Sequence, residues 1–226
     1  MNVNHRLNGR VAQVDSGVAE GFAGGTINFC SWAHGADFVF ADGSGVRFAA
    51  NYKGVSLRDN VNGTDLLPYL CRNSVQNRQR IFLLGSSPEV VERTANNLTE
   101  MFPGLDVSGT QHGFFNKHDC AALIEKINRV NTDILLVALG SPIQEIWLQK
   151  NKSMLNVRTA IAVGGLFDFY SGRIPRAPLW MRKHGIEWIW RLMQEPVKKF
   201  KRYVIGNPLF LIRCITELKN REHYNA

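Results

Sequence analysis

Short aliphatic runs that end at glycine constrain the fold of this 226-residue chain more than any other feature. The runs IFLL, ILLVAL and TAIAV are each followed directly by glycine, and longer segments with helical spacing of apolar residues separate them. Apolar runs without alternation are typical of strands buried on both faces, as in parallel sheets covered by helices. The sequence therefore predicts an α/β fold, a Rossmann-like, mostly parallel sheet flanked by helices.

One complete strand-turn-helix unit is visible in the middle of the chain. Arg80–Leu84 is predicted to be a strand, and Ser86-Ser87-Pro88-Glu89 begins a helix with proline at the first helical position. Ligands of such sheets bind beyond the carboxyl ends of the strands. We therefore expect Asp42, Gly85, Gly140–Glu145 and Gly164–Asp168 to converge on one crevice, where glycines let a phosphate approach backbone N–H groups.

The positive charge of the chain is confined to its C-terminal part. The net charge is +8; residues 173–226 hold 12 basic and 4 acidic residues, whereas residues 1–172 hold 15 of each. Prolines at 175, 178, 196 and 208 divide this part into short segments rich in Trp, Arg and Lys. The sequence predicts a Rossmann-like domain over residues 1–172 and a helical appendage over 173–226 whose composition suits contact with phosphates or with the head groups of an anionic membrane surface.

Several classes of protein are excluded by simple patterns. The four cysteines lie far apart and no histidine cluster has ligand spacing, so neither a zinc knuckle nor a disulfide framework is predicted. We expect no cofactor. The N-terminus lacks the apolar core of a secretion signal, and no run of about 18 apolar residues occurs. We expect a cytoplasmic protein whose membrane contact is peripheral, on the inner face of the cell membrane.

Six ordered segments of the chain resemble one known family, the WecG/TagA/CpsF glycosyltransferases of bacterial cell-envelope and exopolysaccharide assembly. They lie between residue 37 and about residue 210: ADGSGV at 41–46, NGTDLL at 62–67, LLGSS at 83–87, ALGSPIQEIW at 138–147, VGGLFDFYSGRIPRAPLW at 163–180 and GIEWIWRLMQEPVKKFKRY at 185–203. The FDFYSGRIPRAPLW and GNPLFL segments are most similar to the exopolysaccharide members.

The resemblance implies an activity that composition alone does not. Family members transfer a sugar from a UDP-sugar to a polyprenyl-diphosphate-linked saccharide, with inversion at the anomeric carbon and no essential metal. The alternative within the family is an N-acetylmannosamine or N-acetylmannosaminuronate transferase of teichoic acid or enterobacterial antigen type. The resemblance leaves the sugar, the polymer and a homo-oligomeric state open.

The resemblance also assigns roles to particular residues. Asp42 matches the proposed catalytic base, which takes the proton of the acceptor hydroxyl. Substrate contacts are implied for residues after the later strands and in the basic tail, where cations would stabilise the departing UDP in the absence of a metal. These residues are Gln144, Glu145, Gly164, Gly165, Asp168, Arg191, Lys198 and Lys201. Lys198 and Lys201 stand where arginine is common, which removes planar bidentate phosphate contacts.

Two parts of the family pattern are altered in this chain. The usual Thr-x-Asn strand is best matched by Thr26 and Asn28, but only 15 residues separate Thr26 from Asp42, too few for the usual intervening helix and strand. Family members commonly have an arginine three residues before the glycine of the GxDL segment, which is GTDL at 63–66 here. This chain has Asn60 at that place, and Arg58, two residues earlier, is the candidate substitute for the missing arginine. Thr26, Asn28 and Arg58 are therefore candidate substrate residues with altered spacing.

Two other classes of function are weighed against the transferase. An NAD-dependent oxidoreductase of this fold needs GxGxxG after its first strand, and DGSGVR at 42–47 lacks the third glycine. A nucleic-acid-binding module would use the interleaved aromatic and basic residues of the tail, but no recognised nucleic-acid motif is present there. We therefore expect a UDP-sugar and a lipid-linked saccharide as partners, and no nucleic acid.

Overall fold

The computed structural model describes residues 11–15, 36–42, 48, 50–52, 54, 63–210, 212 and 216. The described strands are β1 Val11–Asp15, β2 Phe38–Asp42, β3 Arg80–Gly85, β4 Asp106–Gln111, β5 Ile134–Ala138 and β6 Thr159–Ala162. The described helices are α1 Gly63–Gln76, α2 Pro88–Met101, α3 Ala121–Arg129, α4 Ile143–Asn151, α5 Leu166–Tyr170, α6 Leu179–Lys183, α7 Glu187–Gln194 and α8 Pro196–Phe200. A π-helical segment, Lys201–Gly206, follows α8.

The described strands form one sheet in the order β2-β1-β6-β5-β3-β4. The pairs β1 with β6, β6 with β5, β5 with β3 and β3 with β4 are parallel. The chain moves from β3 to β4 on one side and then returns to β5 on the other side of β3. The strand order therefore reverses between β3 and β5, where sheets of this class have their topological switch point. The predicted α/β fold with a mostly parallel sheet is confirmed.

Both faces of the sheet are covered, which explains the uninterrupted apolar strands. Along β3, Ile81 and Leu83 pack in a core with α1, α2 and α5, while Phe82 and Leu84 pack in a second core with α3 and α4. Every residue of β5 is buried. An alternating pattern would have placed polar side chains in one of these cores, so the aliphatic runs are required by the two helical layers.

The start of α2 shows how local sequence sets an element boundary. Ser87 has extended backbone and its hydroxyl accepts a hydrogen bond from the backbone N–H of Val90 at 3.4 Å. Pro88 occupies the first turn, where its missing N–H leaves no intrahelical bond unmade. The helix start predicted at this serine-proline turn is confirmed.

The described residues divide into two compact units. The first contains 11–13, 36–40 and Gly63–Pro175; the second contains 14–15, Ala41, Asp42, the described positions from 48 to 54 and those from Arg176 onward. In the second unit α6 follows Pro178 and α8 begins at Pro196, so prolines do interrupt the C-terminal part as predicted. The boundary predicted at residue 173 stays a prediction.

Candidate functional site

The carboxyl ends of β3 and β5 approach each other closely at Gly85. Its φ is +130°, and a Cβ placed there would lie 2.3 Å from the backbone oxygen of Ala138. The next residue, Ser86, donates its backbone N–H to that same oxygen at 3.0 Å and accepts from the N–H of Gly113 at 2.8 Å. Only glycine fits at position 85, because any side chain would separate the ends of the two strands.

A second glycine turn connects β5 to α4. Gly140 has a φ of +81°, the peptide bond between Ser141 and Pro142 is cis, and the N–H of Gln144 donates to the carbonyl of Gly140 at 3.0 Å. Among the described residues, no atom would lie within 4 Å of a Cβ at Gly140. The glycine is therefore set by the backbone conformation, and the turn leaves open space beside it.

The side chain of Gln144 is buried at this edge of the sheet. It is 3% exposed, and its amide uses both of its polar ends. Oε1 accepts the backbone N–H of Gly164 at 3.1 Å, and Nε2 donates to Oε1 of Glu145 at 2.9 Å. Gln144, Glu145 and Gly164, three of the residues predicted from sequence, are thus in direct contact.

Glu145 is a buried carboxylate in the first turn of α4. Its side chain is 8% exposed, and the Gln144 amide donates to it. Negative charge in the first turn interacts favourably with the helix dipole. The structure therefore holds this carboxylate by a hydrogen bond and by its place in the helix.

Gly164 and Gly165 form the turn between β6 and α5. Gly164 has a φ of +55°, and no atom of the part of the chain that the structure describes lies within 4 Å of a Cβ position there. Gly165 precedes the first residue of α5. Asp168 lies in the first turn of α5 and pairs with Arg173, with Nη1 3.0 Å from Oδ1. Asp168 is thus placed after the glycine turn as predicted, and its carboxylate is held by a cation that the sequence reasoning did not single out.

Side chains of α2 and α5 fix the position of the Asp168 segment. Thr94 donates to the carbonyl of Phe167 at 3.1 Å, and Asn97 donates to the carbonyl of Tyr170 at 2.7 Å. The hydroxyl of Tyr170 donates to the carbonyl of Thr64 in α1 at 2.8 Å. Three neighbours therefore tie the five-residue helix to the first core.

The loop after β4 also lies at the carboxyl edge, because Gly113 is bonded to Ser86. The ammonium group of Lys117 donates to the carbonyls of Gly113 and Phe115 and so holds the loop together. Phe114, between these two residues, is 74% exposed. The loop begins after β4 with His112 and Gly113. Sequence reasoning gave His112 no role.

Other predicted site residues belong to the second unit or lie outside the described residues. Thr26, Asn28 and Arg58 lie outside the described residues, so their roles stay predictions. Asp42 is the last residue of β2; its backbone is described and its side chain is not.

The predicted basic residues belong to the second unit. Arg191 lies in the last turn of α7 and is partly buried. Lys198 lies in α8, and its side chain is outside what the structure describes. Lys201 begins the π-helical segment and is exposed.

Among the described residues, no group of three or more His, Cys, Asp or Glu side chains could hold a metal ion. Over the same part of the chain, no helix has both the length and the apolar character needed to cross a bilayer.

Comparison with known proteins gives a match over almost the whole chain. Residues 26–224 match the family model described as "Glycosyl transferase WecG/TagA/CpsF family". A protein of Bacillus spizizenii (strain W23) is 31% identical over 163 residues, which is 72% of this chain and 63% of that protein's length. A protein of Bacillus subtilis (strain 168) is 28% identical over 189 residues, 84% of this chain and 72% of the relative. Both are named N-acetylglucosaminyldiphosphoundecaprenol N-acetyl-beta-D-mannosaminyltransferase. Because the family model matches most of the length of this chain, the chain belongs to the glycosyl transferase WecG/TagA/CpsF family.

Proposed function

We propose that the protein is an inverting glycosyltransferase that moves a sugar from a UDP-sugar to a polyprenyl-diphosphate-linked saccharide. The family match over residues 26–224 is the observation that carries this proposal. The open glycine turns after β5 and β6, with a buried amide between them, support it, because a nucleotide-sugar can approach the backbone there.

The relatives' names favour one choice of substrates. Both relatives are named for transfer of N-acetylmannosamine to N-acetylglucosaminyl-diphospho-undecaprenol. We therefore propose UDP-N-acetylmannosamine as the first donor to test and a polyprenyl-diphosphate-linked N-acetylglucosamine as the first acceptor. Transfer of another hexose in exopolysaccharide synthesis, which the FDFYSGRIPRAPLW segment suggested, stays a prediction.

In the proposed reaction Asp42 is the base. Its carboxylate takes the proton from the acceptor hydroxyl as that oxygen attacks the anomeric carbon, and the bond from this carbon to the UDP oxygen breaks on the opposite side. Asp42 is supported by its place as the last residue of a strand, followed by Gly-Ser-Gly in the sequence. Arg191, Lys198 and Lys201 are the proposed cations that stabilise charge on the departing UDP.

The second unit is proposed to contact the anionic inner face of the cell membrane. Basic residues are in excess from residue 173 onward, and large apolar side chains of this unit are exposed. These side chains are Leu179, Trp180, Met193, Val197, Phe200, Val204, Ile205 and Ile212. Apolar side chains that insert between lipids, surrounded by cations that attract anionic headgroups, are typical of a peripheral membrane surface.

The test is a transfer assay with purified protein, a panel of UDP-sugars and a synthetic lipid-diphosphate-linked N-acetylglucosamine. We expect transfer by the wild type and a loss of about 10²–10⁴-fold in kcat for Asp42→Asn, because an amide cannot accept the proton. Asp119→Asn, the same change at an exposed loop aspartate, is the matched control and should keep wild-type activity.

Either of two results would contradict the proposal. If the wild-type protein transfers none of the sugars, the proposed activity is wrong. If Asp42→Asn protein transfers sugar at the wild-type rate, Asp42 is not the base.

A further inference from the structure

Gln144 is the point at which two glycine turns of the sheet edge are joined. Its backbone N–H closes the Gly140 turn, and its side-chain oxygen accepts the N–H of Gly164 at 3.1 Å. The other end of the amide donates to Glu145 at 2.9 Å. The side chain is 3% exposed, so this arrangement is shielded from water.

The hydrogen bond between Gln144 and Gly164 takes the place of a strand-to-strand hydrogen bond just beyond the ends of β5 and β6. The last paired residues of β5 and β6 are Val137 and Ala162, and the N–H of Val163 still donates to the carbonyl of Val137 at 2.9 Å. The next backbone group at this edge, the N–H of Gly164, donates to Gln144 instead. The separation of the two turns beyond the strand ends is therefore set by this side chain.

A glutamine is well suited to this position because it combines an acceptor and a donor. The Gly164 N–H requires an acceptor and the Glu145 carboxylate requires a donor, so the neighbours determine which end of the amide points each way. A carboxylate at position 144 would satisfy Gly164 but would face Glu145 as a like charge. An apolar residue would leave both neighbours buried without this partner.

We propose that Gln144 is a positioning residue: held by Glu145, it fixes the Gly164 turn against the Gly140 turn and thereby shapes the donor subsite. This inference rests on the proposed UDP-sugar transfer, and it differs from the direct donor contact expected from sequence. In it, neither Gln144 nor Glu145 needs to touch the sugar nucleotide. The pair can then be exchanged without loss, provided that one carboxylate and one amide remain.

The experiment is an exchange of the two side chains. Gln144→Glu alone places two carboxylates together, and Glu145→Gln alone places two amides together. In the double variant Gln144→Glu/Glu145→Gln, one oxygen of the carboxylate at position 144 accepts from the Gly164 N–H. Its other oxygen accepts from the amide NH₂ at position 145. Gln149→Glu, the same change at an exposed position of α4, is the matched control.

Binding of UDP and the donor and acceptor KM values are measured for every variant. We expect Gln144→Glu to weaken UDP binding and raise the donor KM at least tenfold while the acceptor KM stays within threefold, because only the donor turns move. The double variant should return both quantities to within threefold of wild type, and Gln149→Glu should match wild type. A merely structural role would not change the donor KM selectively.

Three outcomes overturn the inference. A double variant that folds but binds UDP as weakly as Gln144→Glu would mean that one of the side chains contacts the ligand directly. A double variant that does not fold would mean that the pair is not interchangeable. A Gln144→Glu variant with wild-type UDP binding would mean that the amide does not shape the subsite.

The proposed function fails separately. Wild-type protein that neither binds UDP nor transfers sugar would remove it, whatever the variants do. Urea unfolding of the wild type and the four variants then still tests the pair, because the exchange should recover the stability lost in Gln144→Glu.

Discussion

Replacing Gly85 with alanine should destabilise the first unit strongly. The residue has a φ of +130°, and the new Cβ would lie 2.3 Å from the oxygen, 2.4 Å from the carbon and 2.9 Å from the Cα of Ala138. All three are backbone atoms of a fully buried strand, so none of them can rotate away. Backbone strain of this kind costs about 1–3 kcal/mol, and forced displacement in a packed core costs about 1–3 kcal/mol more.

The combined cost of roughly 2–6 kcal/mol is a large share of the 5–15 kcal/mol that keeps an average domain folded. Urea unfolding followed by circular dichroism should show a midpoint lower by roughly 1–3 M, with a slope of about 2 kcal/mol/M.

The matched control for this substitution is Gly104→Ala. Gly104 also has a positive φ, +89°, but its added Cβ would meet only the Val75 Cγ1 at 3.5 Å, an ordinary contact. We expect only the left-handed strain there, about 1–2 kcal/mol. Equal midpoints for the two variants would refute the steric argument, since it would show that β3 and β5 separate at no cost.

Two further predictions concern a buried thiol and an exposed apolar residue. Burial raises the pKa of the Cys71 thiol from 9.0 to about 12, so between these values the folded protein keeps a proton that the unfolded chain releases. Above pH 9 the free energy of unfolding of the wild type should therefore fall with pH more steeply than that of Cys71→Ala, by about 1.4 kcal/mol per pH unit. Free energies from urea unfolding that fall in parallel with pH for the two proteins would contradict this. Val197 in α8 is 93% exposed; Val197→Glu should weaken binding to vesicles with anionic lipid roughly tenfold or more, because it removes an inserting side chain and adds repulsion. Binding is measured by co-sedimentation of the protein with the vesicles. Met154→Glu, at a residue of the first unit that is 52% exposed, should bind as wild type does in this assay. Equal binding by the two variants would show that Val197 is not part of the membrane surface.

The sheet could be predicted from sequence because its evidence is local. Short aliphatic runs and the glycines that follow them specify buried parallel strands, and β3, β5 and β6 lie where those runs are. The Ser87-Pro88 helix start is equally local, since the capping hydroxyl of Ser87 accepts from an N–H only three residues away, that of Val90. The strand order was not predicted, because the position of β1 beside β6 depends on pairing across most of the chain.

The contacts within the candidate site were less accessible. Gln144 and Gly164 were each singled out, but their hydrogen bond spans 20 residues and exists only because β5 and β6 are neighbours. The pairing of Arg173 with Asp168 is closer in sequence, yet it requires the chain to turn at Gly172, where φ is +72°. Periodicity and composition carry no information on such turns, so the residues could be named before their arrangement was known.

The three glycine turns at the carboxyl edge divide that edge into a closed part and an open part. At Gly85 the space that a side chain would need is filled by the backbone of Ala138, and the Ser86 N–H is bonded to the Ala138 carbonyl. The ends of β3 and β5 therefore pack directly against each other at the switch point. At Gly140 and Gly164 the backbone takes the left-handed conformation, and no atom of a described residue lies within 4 Å of a Cβ position. The general rule for such sheets places ligands at the switch point itself. In this protein the glycine turns with open Cβ positions among the described residues follow β5, one of the two switch-point strands, and its neighbour β6, and the buried amide of Gln144 joins these two turns.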